Sequence, residues 1–257
     1  MSPATLDLSP APGAAPPRAR VLAQARGEVG VLLRNGEQLL VAVALPALVL
    51  VGLVRASSPD LGSARRIDVI APGVLALALI SSAFTGQAIQ TGFDRRYGVL
   101  KRLAATAIPR WLLGAGRVLA ALTIVAIQVI VLGVVAALLG WAPEAGGVAW
   151  AVVLVLLGTI AFGALGVLLG GALRAEIVLA VANIVWFVLL LAGGIALPPS
   201  QLDGLGVVAE LLPSGALAEG LHTVLTQGGP PGWQPVLVLI IWAAAAGGIA
   251  TRTTRLT

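Results

Sequence analysis

The sequence predicts an all-α membrane protein with six transmembrane helices, and three observations carry this prediction. The 257 residues are 58% hydrophobic and only 11% charged, whereas soluble globular domains carry about 25% charged residues. The mean hydropathy is +1.01. The apolar residues also form runs long enough to cross a bilayer as helices, which needs roughly 17 to 25 residues.

The net charge of +5 indicates contact with membrane lipid rather than nucleic acid. The cations lie in short clusters between apolar runs, and no part of the chain forms a basic domain. Fifteen of the sixteen cations are Arg, and Ala, Gly and Pro are frequent, which is typical of a GC-rich bacterial genome. We therefore expect a bacterial cell (inner) membrane protein.

The amino-terminal region divides into a tail and an amphipathic helix. Residues 1–17 lack the apolar centre of a signal peptide and are rich in Pro and Ala, which predicts a disordered tail. Over residues 18–35, apolar side chains repeat on one helical arc and polar ones lie opposite. This pattern predicts an interfacial helix lying on the membrane. The alternative is an ordinary soluble amphipathic helix, but no soluble domain is evident for it to pack against. The apolar arc holds Val21, Leu22, Ala25, Val29, Leu32 and Leu33, and the polar arc holds Arg20, Gln24, Glu28 and Arg34.

Six apolar segments then predict six spans, so that residues 18–257 form one transmembrane domain. The first segment contains Pro46, which predicts a kink, tolerable where a neighbouring helix satisfies the freed carbonyl. The segments are 38–54, 69–91, 116–140, 148–171, 177–197 and 234–250.

The distribution of cations predicts that both termini are cytoplasmic. With the amino terminus inside, thirteen of the sixteen cations fall on the cytoplasmic side and three on the outer side. Cytoplasmic loops carry an excess of Lys and Arg. The three outer cations, Arg55, Arg65 and Arg66, all lie in the first loop, close to Asp60 and Asp68.

The last outer connection, residues 198–233, contains two short runs of Leu and Val at helical spacing. Neither run is long enough to span the bilayer, so we expect two re-entrant helices dipping into the outer leaflet. Ser200 with Asp203, and Ser214 after Pro213, are candidate helix caps.

Catalytic chemistry finds little support in the sequence. There is no Cys, no pattern of metal ligands and no G-x-x-x-x-G-K-[ST] phosphate loop, so the chain is not expected to hydrolyse ATP. Ser214 and the single histidine, His222, could suggest an intramembrane serine protease. That family places its Ser and His on separate spans, whereas both residues lie here in one outer connection. We expect no catalytic residue and no metal site.

A few polar residues lie within the predicted spans. Gln87 and Gln90 are near the inner end of the second, Gln128 is in the third, and Asn183 with Phe187 shares a face of the fifth. Interhelical hydrogen bonding is one role for them. The other is to line a substrate path, for which Gln87, Gln128, Asn183 and Phe187 are the candidates. The sequence "GVLLG" from Gly166 to Gly170 has the spacing that lets helices approach closely.

The segment 93–110 stands out by its charge. It holds five of the sixteen cations, while the 25 residues of 69–93 hold no charge. As one helix, it would place Leu100, Leu103, Ala104 and Ala107 opposite Arg95, Lys101 and Arg102, and Pro109 would end it. This predicts an amphipathic helix at the inner face of the membrane; the alternative is a solvated basic loop.

The segment "FDRRYGVLKRLAATAIPRWLLGAGRV" resembles the corresponding region of type-2 ABC transporter permeases of the daunorubicin-resistance and polysaccharide-export kind. Asp94-Arg95 stands where Glu-Arg-Glu is commoner, and Ala107-Ile108 separates Thr106 from Pro109. The later "LLPSGALAEGL" is also similar to the Pro-containing region of that family. The matching positions are Asp94, Arg95, Gly98, Leu100, Leu103, Thr106, Pro109, Arg110 and Gly114.

The resemblance implies a permease subunit of an ATP-driven exporter. It implies a dimer, with a second copy or a paralogous permease, on two copies of a cytoplasmic ATPase that binds ATP and Mg, and no cofactor held by this chain. The charge-free spans favour an amphipathic or lipophilic substrate: a drug, a lipid or a lipid-linked glycan. The alternative is a non-transporting membrane scaffold. The coupling segment would contact the ATPase through Arg95, Arg96, Gly98, Leu100, Lys101, Arg102, Leu103, Pro109 and Arg110.

Overall fold

The computed structural model describes residues 15–34, 36–56, 65–99, 102, 110–192 and 206–253, and these residues form helices without any strand. Some predictions lie outside this set: residues 1–14 of the predicted tail, the cap residues Ser200 and Asp203, and Leu100, Lys101, Leu103 and Pro109 of the coupling segment. The helices are α1 (Pro17–Arg34), α2 (Gly36–Arg55), α3 (Arg66–Ile80), a π-helical segment (Ser81–Gly86), α4 (Gln87–Arg96), α5 (Arg110–Leu138), α6 (Ala145–Ala172), α7 (Ala175–Ala192), α8 (Gly206–Leu211), α9 (Pro213–Gln227) and α10 (Trp233–Thr253).

Four stretches of the described chain are long and apolar enough to cross a membrane: Arg66–Arg96, Gly114–Leu138, Ala145–Ala172 and Trp233–Arg252. Two shorter apolar helices, Leu39–Arg55 and Ala175–Leu191, correspond to the predicted first and fifth spans. The prediction of an all-α, multi-pass membrane protein is therefore confirmed. The count of six spans stays a prediction.

The amphipathic helix α1 packs against the rest of the chain through both polar and apolar residues, and Ala25 of the apolar arc is buried. Gln24 lies against Gly116 of α5, where a Cβ atom would approach the Gln24 Cγ to 2.4 Å. Glu28 contacts α4, whereas Leu22 and Leu33 are exposed. Exposed apolar side chains of this kind are what a helix on a membrane surface requires.

Helix α6 lies at the centre of the fold and contacts α4, the π-helical segment, α9 and α10. Its fully buried Phe162 belongs to a core shared with Leu217 of α9 and Leu239 of α10. Gly166 and Gly170 face the π-helical segment and α4. An added Cβ atom at Gly166 would lie 2.5 Å from the Phe84 oxygen, and one at Gly170 would lie 2.4 Å from the Ala88 oxygen. The close helix approach predicted from the Gly166 to Gly170 spacing is thereby confirmed.

The outer helices α8 and α9 precede α10, as the Leu and Val spacing predicted. Leu212 occupies the N-cap position of α9 and Pro213 its first turn, so Ser214 is not the cap that the sequence suggested. Pro at the first helical position needs no N–H partner. The Ser214 hydroxyl is buried, with no hydrogen-bond partner among the described residues.

The carboxyl end of α9 docks on the start of α6. The Glu144 N–H donates to the Leu225 carbonyl at 2.9 Å, and Gly147 lies so close that a Cβ atom would be 1.7 Å from the Val224 oxygen. Only a glycine hydrogen leaves room for this contact of two backbones. Helix α9 then ends at Gly228, which has φ +75.

Gln128 of α5 compensates for the proline in α2. Pro46 has no N–H, so the carbonyl four residues earlier, that of Ala42, loses its helical donor. The Gln128 Nε2 donates to this carbonyl at 2.8 Å. Gln128 is 1% exposed, so the bond forms away from water. A polar residue of a neighbouring span thus satisfies the break in the first span, as expected for a proline in a membrane helix.

Replacing Gln128 with leucine should destabilise the chain in a Pro46-dependent way. In the wild-type background the free energy of unfolding should fall by about 1 kcal/mol, because the Ala42 carbonyl loses its hydrogen-bond donor. In a Pro46→Ala background the helix regains an N–H for that carbonyl, so Gln128→Leu should cost clearly less. Unfolding of the four variants in mixed micelles gives the double-mutant cycle. Equal costs in both backgrounds would show that the Gln128 bond does not compensate for Pro46.

Candidate functional site

A cavity of about 610 Å³ lies between α2, the π-helical segment with the start of α4, and α5. The carboxyl-terminal half of the second predicted span therefore forms one of its walls. None of the lining residues that the structure describes is charged. The lining consists of Leu39, Val41, Ala42, Leu45, Pro46, Ser81, Ser82, Thr85, Gly86, Gln87, Ile89, Gln90, Ala121 and Ile124.

The two sides of the cavity differ in polarity. Helices α2 and α5 supply mainly aliphatic side chains, such as Leu39, Leu45 and Ile124. The π-helical segment and α4 supply hydroxyl and amide groups. A π-turn places one extra residue in the helix, and such turns occur frequently at functional sites. The cavity can therefore hold a molecule that has both an apolar and a polar part.

Two polar groups of the lining residues lack partners. Gln87 is 4% exposed, and within the described chain its Oε1 atom accepts no hydrogen bond; the buried Thr85 hydroxyl also has no partner there. Ser81, by contrast, accepts from the Trp186 indole N–H at 2.9 Å and donates to the Leu77 carbonyl. A buried polar atom without a partner is costly. Gln87 and Thr85 are thus able to bind a ligand that offers hydrogen bonds.

Next to Gln90, the cavity adjoins a carboxylate of the amphipathic helix. The Gln90 Nε2 donates to one oxygen of Glu28 at 3.2 Å, and the Gln24 Nε2 donates to the other at 3.1 Å. Both amides use their N–H groups on the acid, which is only partly buried. This contact joins α1 to α4, in the carboxyl-terminal half of the second predicted span.

A buried ion pair joins the second and third spans close by. Arg117 of α5 donates to the Asp94 carboxylate and to the Thr91 hydroxyl, both on α4. The Arg117 side chain is 7% exposed and that of Asp94 is 23% exposed. Desolvating a charged pair is expensive unless its geometry is good and further hydrogen bonds are made. The Thr91 hydroxyl supplies one such bond.

The last two residues of α4 reach the next two helices. Arg95 donates to the carbonyls of Gly171 and Leu173 at the end of α6. A cation is favourable at a helix carboxyl end, where carbonyls lack helical partners. Arg96 pairs with Glu176 at the start of α7. The beginning of the charged segment is therefore tied to α5, α6 and α7.

The prediction of one continuous helix from Arg95 onward is wrong at its start. Arg95 and Arg96 continue the helix of the second predicted span. This helix ends at Arg96, and Gly98 follows in a turn with φ +70. Val99 and Arg102 are again helical, and the Arg102 N–H donates to the Gly98 carbonyl at 3.1 Å. Gly98 permits this break because a left-handed conformation strains other residues. Arg95 and Arg102 thus belong to different helical pieces.

The predicted path residues do not come together. Gln87 lines the cavity, and Gln128 binds Ala42, another lining residue, without lining it directly. Asn183 and Phe187 lie exposed on α7 and are not part of the lining. The Asn183 Nδ2 donates to the Leu179 carbonyl of its own helix. Of the predicted coupling residues, Arg95, Arg96, Gly98 and Arg102 can be described, together with the backbone of Arg110.

The sequence prediction missed the partners of the charged groups. Arg117 was counted only as a cytoplasmic cation, and Glu28 only as part of a polar arc. Asp94 and Arg117 flank one connection between antiparallel spans, and that position is the signal that could have paired them. In the described parts of the chain, no group of three or more His, Cys, Asp or Glu residues could hold a metal ion.

Comparison with models of known protein families identifies a family for this chain. The family model described as ABC-2 type transporter matches residues 21–225, from α1 to near the end of α9. The match includes the cavity, the ion pairs at the end of α4 and the charged segment. No curated protein matches the chain.

Proposed function

Because the chain belongs to the ABC-2 type transporter family and is a permease subunit of an ABC transporter, we propose that it exports an amphipathic or lipophilic substrate. The family pairs such permeases with an ABC ATPase subunit, so the permease itself is not the ATPase. The cavity among α2, the π-helical segment and α5 supports the substrate class, because it joins an apolar side to an uncharged polar side.

Drugs, lipids and lipid-linked glycans all have the required two-sided chemistry. We further propose six spans with both termini in the cytoplasm of a bacterium, because thirteen of sixteen cations then lie inside. The active unit is a dimer of permeases, identical or paralogous, with two ATPase subunits that bind ATP and Mg. The exposed apolar side chains of α7, Ile184, Phe187 and Leu191, are available to lipid or to the second permease.

The charged segment is proposed as the contact through which ATP-driven movement of the ATPase reaches the membrane helices. Three contacts at its beginning support this role. Arg117 with Asp94, Arg95 with the end of α6, and Arg96 with Glu176 connect α4 to three other helices. A displacement of the segment would therefore act on the second to fifth predicted spans together. Leu100, Lys101, Leu103, Pro109 and Arg110 remain candidate contacts on sequence grounds.

Coupling can be tested with the permease and its ATPase reconstituted in vesicles. Leu103→Asp places a charge in the predicted apolar contact and should cost several kcal/mol of binding or coupling. Substrate-stimulated ATPase activity and transport should then fall together. Lys101→Glu is the matched control, since an exposed charge contributes only about 0 to 1 kcal/mol. Wild-type transport by Leu103→Asp would contradict the coupling role, and the permease alone should show no ATPase activity.

A further inference from the structure

The hydrogen-bonding groups of the cavity favour a ligand that donates hydrogen bonds. The Gln87 Oε1 atom is buried and, in the part of the chain described, has no donor. One N–H of the Gln90 amide donates to Glu28, so the amide nitrogen is directed toward α1 and the carbonyl oxygen lies at the opposite end of the amide. Thr85 adds a buried hydroxyl, which can accept as well as donate. A head group rich in N–H or O–H donors would satisfy these atoms.

Among the residues that the structure describes, the charge beside the cavity is negative. Among the described residues no Lys or Arg forms an ion pair with Glu28, which accepts only from the neutral amides of Gln24 and Gln90. Arg117 is held by Asp94, so the three ionised groups sum to one negative charge. Arg20 lies two turns before Glu28 on α1, roughly 12 Å along the helix axis. The field at Gln90 is therefore set first by the Glu28 carboxylate.

We propose that the cavity selects amphiphiles with a primary ammonium head group. The ammonium donates to the side-chain oxygens of Gln87 and Gln90, Glu28 supplies the counter-charge through Gln90, and the alkyl or aromatic tail lies along Leu39 and Leu45. The inference rests on the proposed export function and narrows its substrate class. An ammonium carries three N–H donors and one positive charge, which matches both the acceptors and the field.

Two probes with the same alkyl tail, one charged and one neutral, distinguish the contribution of the head-group charge to binding from that of the buried tail. The chain is purified in phosphatidylcholine nanodiscs, and binding of radiolabelled dodecylammonium and dodecanol is measured after subtraction of empty discs. Wild-type protein should bind the ammonium more tightly. Glu28→Gln keeps a hydrogen-bonding side chain but removes the charge, and should weaken dodecylammonium binding by about tenfold while leaving dodecanol nearly unchanged. Glu219→Gln removes an exposed acid of α9 and should change neither.

A second variant moves the charge instead of deleting it. Gln87→Glu has the same shape and places a carboxylate in the lining itself, so it should increase the preference for dodecylammonium over dodecanol. The double variant Glu28→Gln/Gln87→Glu should regain ammonium binding that Glu28→Gln loses. A purely structural role of Glu28 would weaken both probes equally and would not be rescued by Gln87→Glu. Either of those results, or no preference in the wild type, overturns the proposal.

Transport by the complex with the ATPase distinguishes this inference from the proposed function. Charge-selective binding without ATP-driven movement of dodecylammonium would refute export and leave the binding site standing. ATP-driven transport that treats dodecylammonium and dodecanol alike, in the wild type and in Glu28→Gln, would refute the selectivity and leave export standing. Competition by phosphatidylethanolamine added to the discs would identify a bilayer lipid as the source of the ammonium group. A lack of competition would identify a soluble amine as the source.

Discussion

Gly147→Ala is expected to detach the outer helix α9 from the start of α6. The added Cβ atom would lie 1.7 Å from the Val224 oxygen, and the neighbouring backbone atoms are also within contact distance. A backbone carbonyl cannot turn aside as a flexible side chain can, so one or both helices must shift. We expect the free energy of unfolding to fall by about 3 kcal/mol or more, which is at the upper end of the cost of adding atoms to a packed core. The melting temperature should fall by about 6 °C or more.

Gly163→Ala provides the matched control on the same helix. No atom lies within 4 Å of a Cβ atom at Gly163, and alanine favours a helix over glycine by about 1 kcal/mol. This variant should melt at or above the wild-type temperature. Intrinsic tryptophan fluorescence during heating in detergent measures both. If Gly147→Ala melted like Gly163→Ala, the backbone contact between α6 and α9 would not contribute to stability.

Removing one member of the Asp94–Arg117 pair is expected to cause the second large loss of stability. Arg117→Met leaves the Asp94 carboxylate without its cation, and Asp94→Leu leaves a guanidinium that is 7% exposed. The free energy of unfolding of each single variant should fall by about 3 to 5 kcal/mol, because an unpaired buried charge remains. The double variant Asp94→Leu/Arg117→Met should recover most of that loss, since apolar residues of similar volume often replace a buried pair without cost.

The Arg96–Glu176 pair shows what an exposed ion pair contributes in the same region. Its side chains are 51% and 64% exposed, so Arg96→Ala should cost no more than about 1 kcal/mol. Unfolding in mixed micelles and the yield of folded protein compare the variants. Additive losses in the Asp94 and Arg117 double variant would show that the two charges do not depend on each other.

The helices could be predicted from sequence because their signals are local. Runs of apolar residues define the spans, and the spacing of Leu and Val predicts the outer helices, without reference to any neighbour. The end of the second span was placed too early for the same reason. Charged Arg95 and Arg96 resemble a loop in hydropathy, but their guanidinium groups bind the ends of α6 and α7 and let the helix continue.

The candidate site could be predicted only in part, because it depends on which helices are neighbours. Pro46 indicated that a carbonyl would need a partner, but nothing in the first span identifies Gln128 as the donor. Counting cations assigns Arg117 to a side of the membrane and says nothing of Asp94. Gln87 was chosen for its polarity within a span, and Asn183 was chosen by the same rule. Their burial differs only because of helix packing, which buries the amide of Gln87 and leaves that of Asn183 exposed.

The π-helical segment Ser81–Gly86 also sets the rotational phase of everything that follows it in the second span. One additional residue turns the remainder of a helix by about 100° relative to an uninterrupted α-helix. Gln87 and Gln90 face the cavity, and Asp94 faces Arg117, in the phase produced by this extra residue. Without it, the same sequence would direct these side chains toward a different neighbour. A single-residue insertion can thus create a binding surface and an interhelical ion pair together, without any change in the side chains that form them.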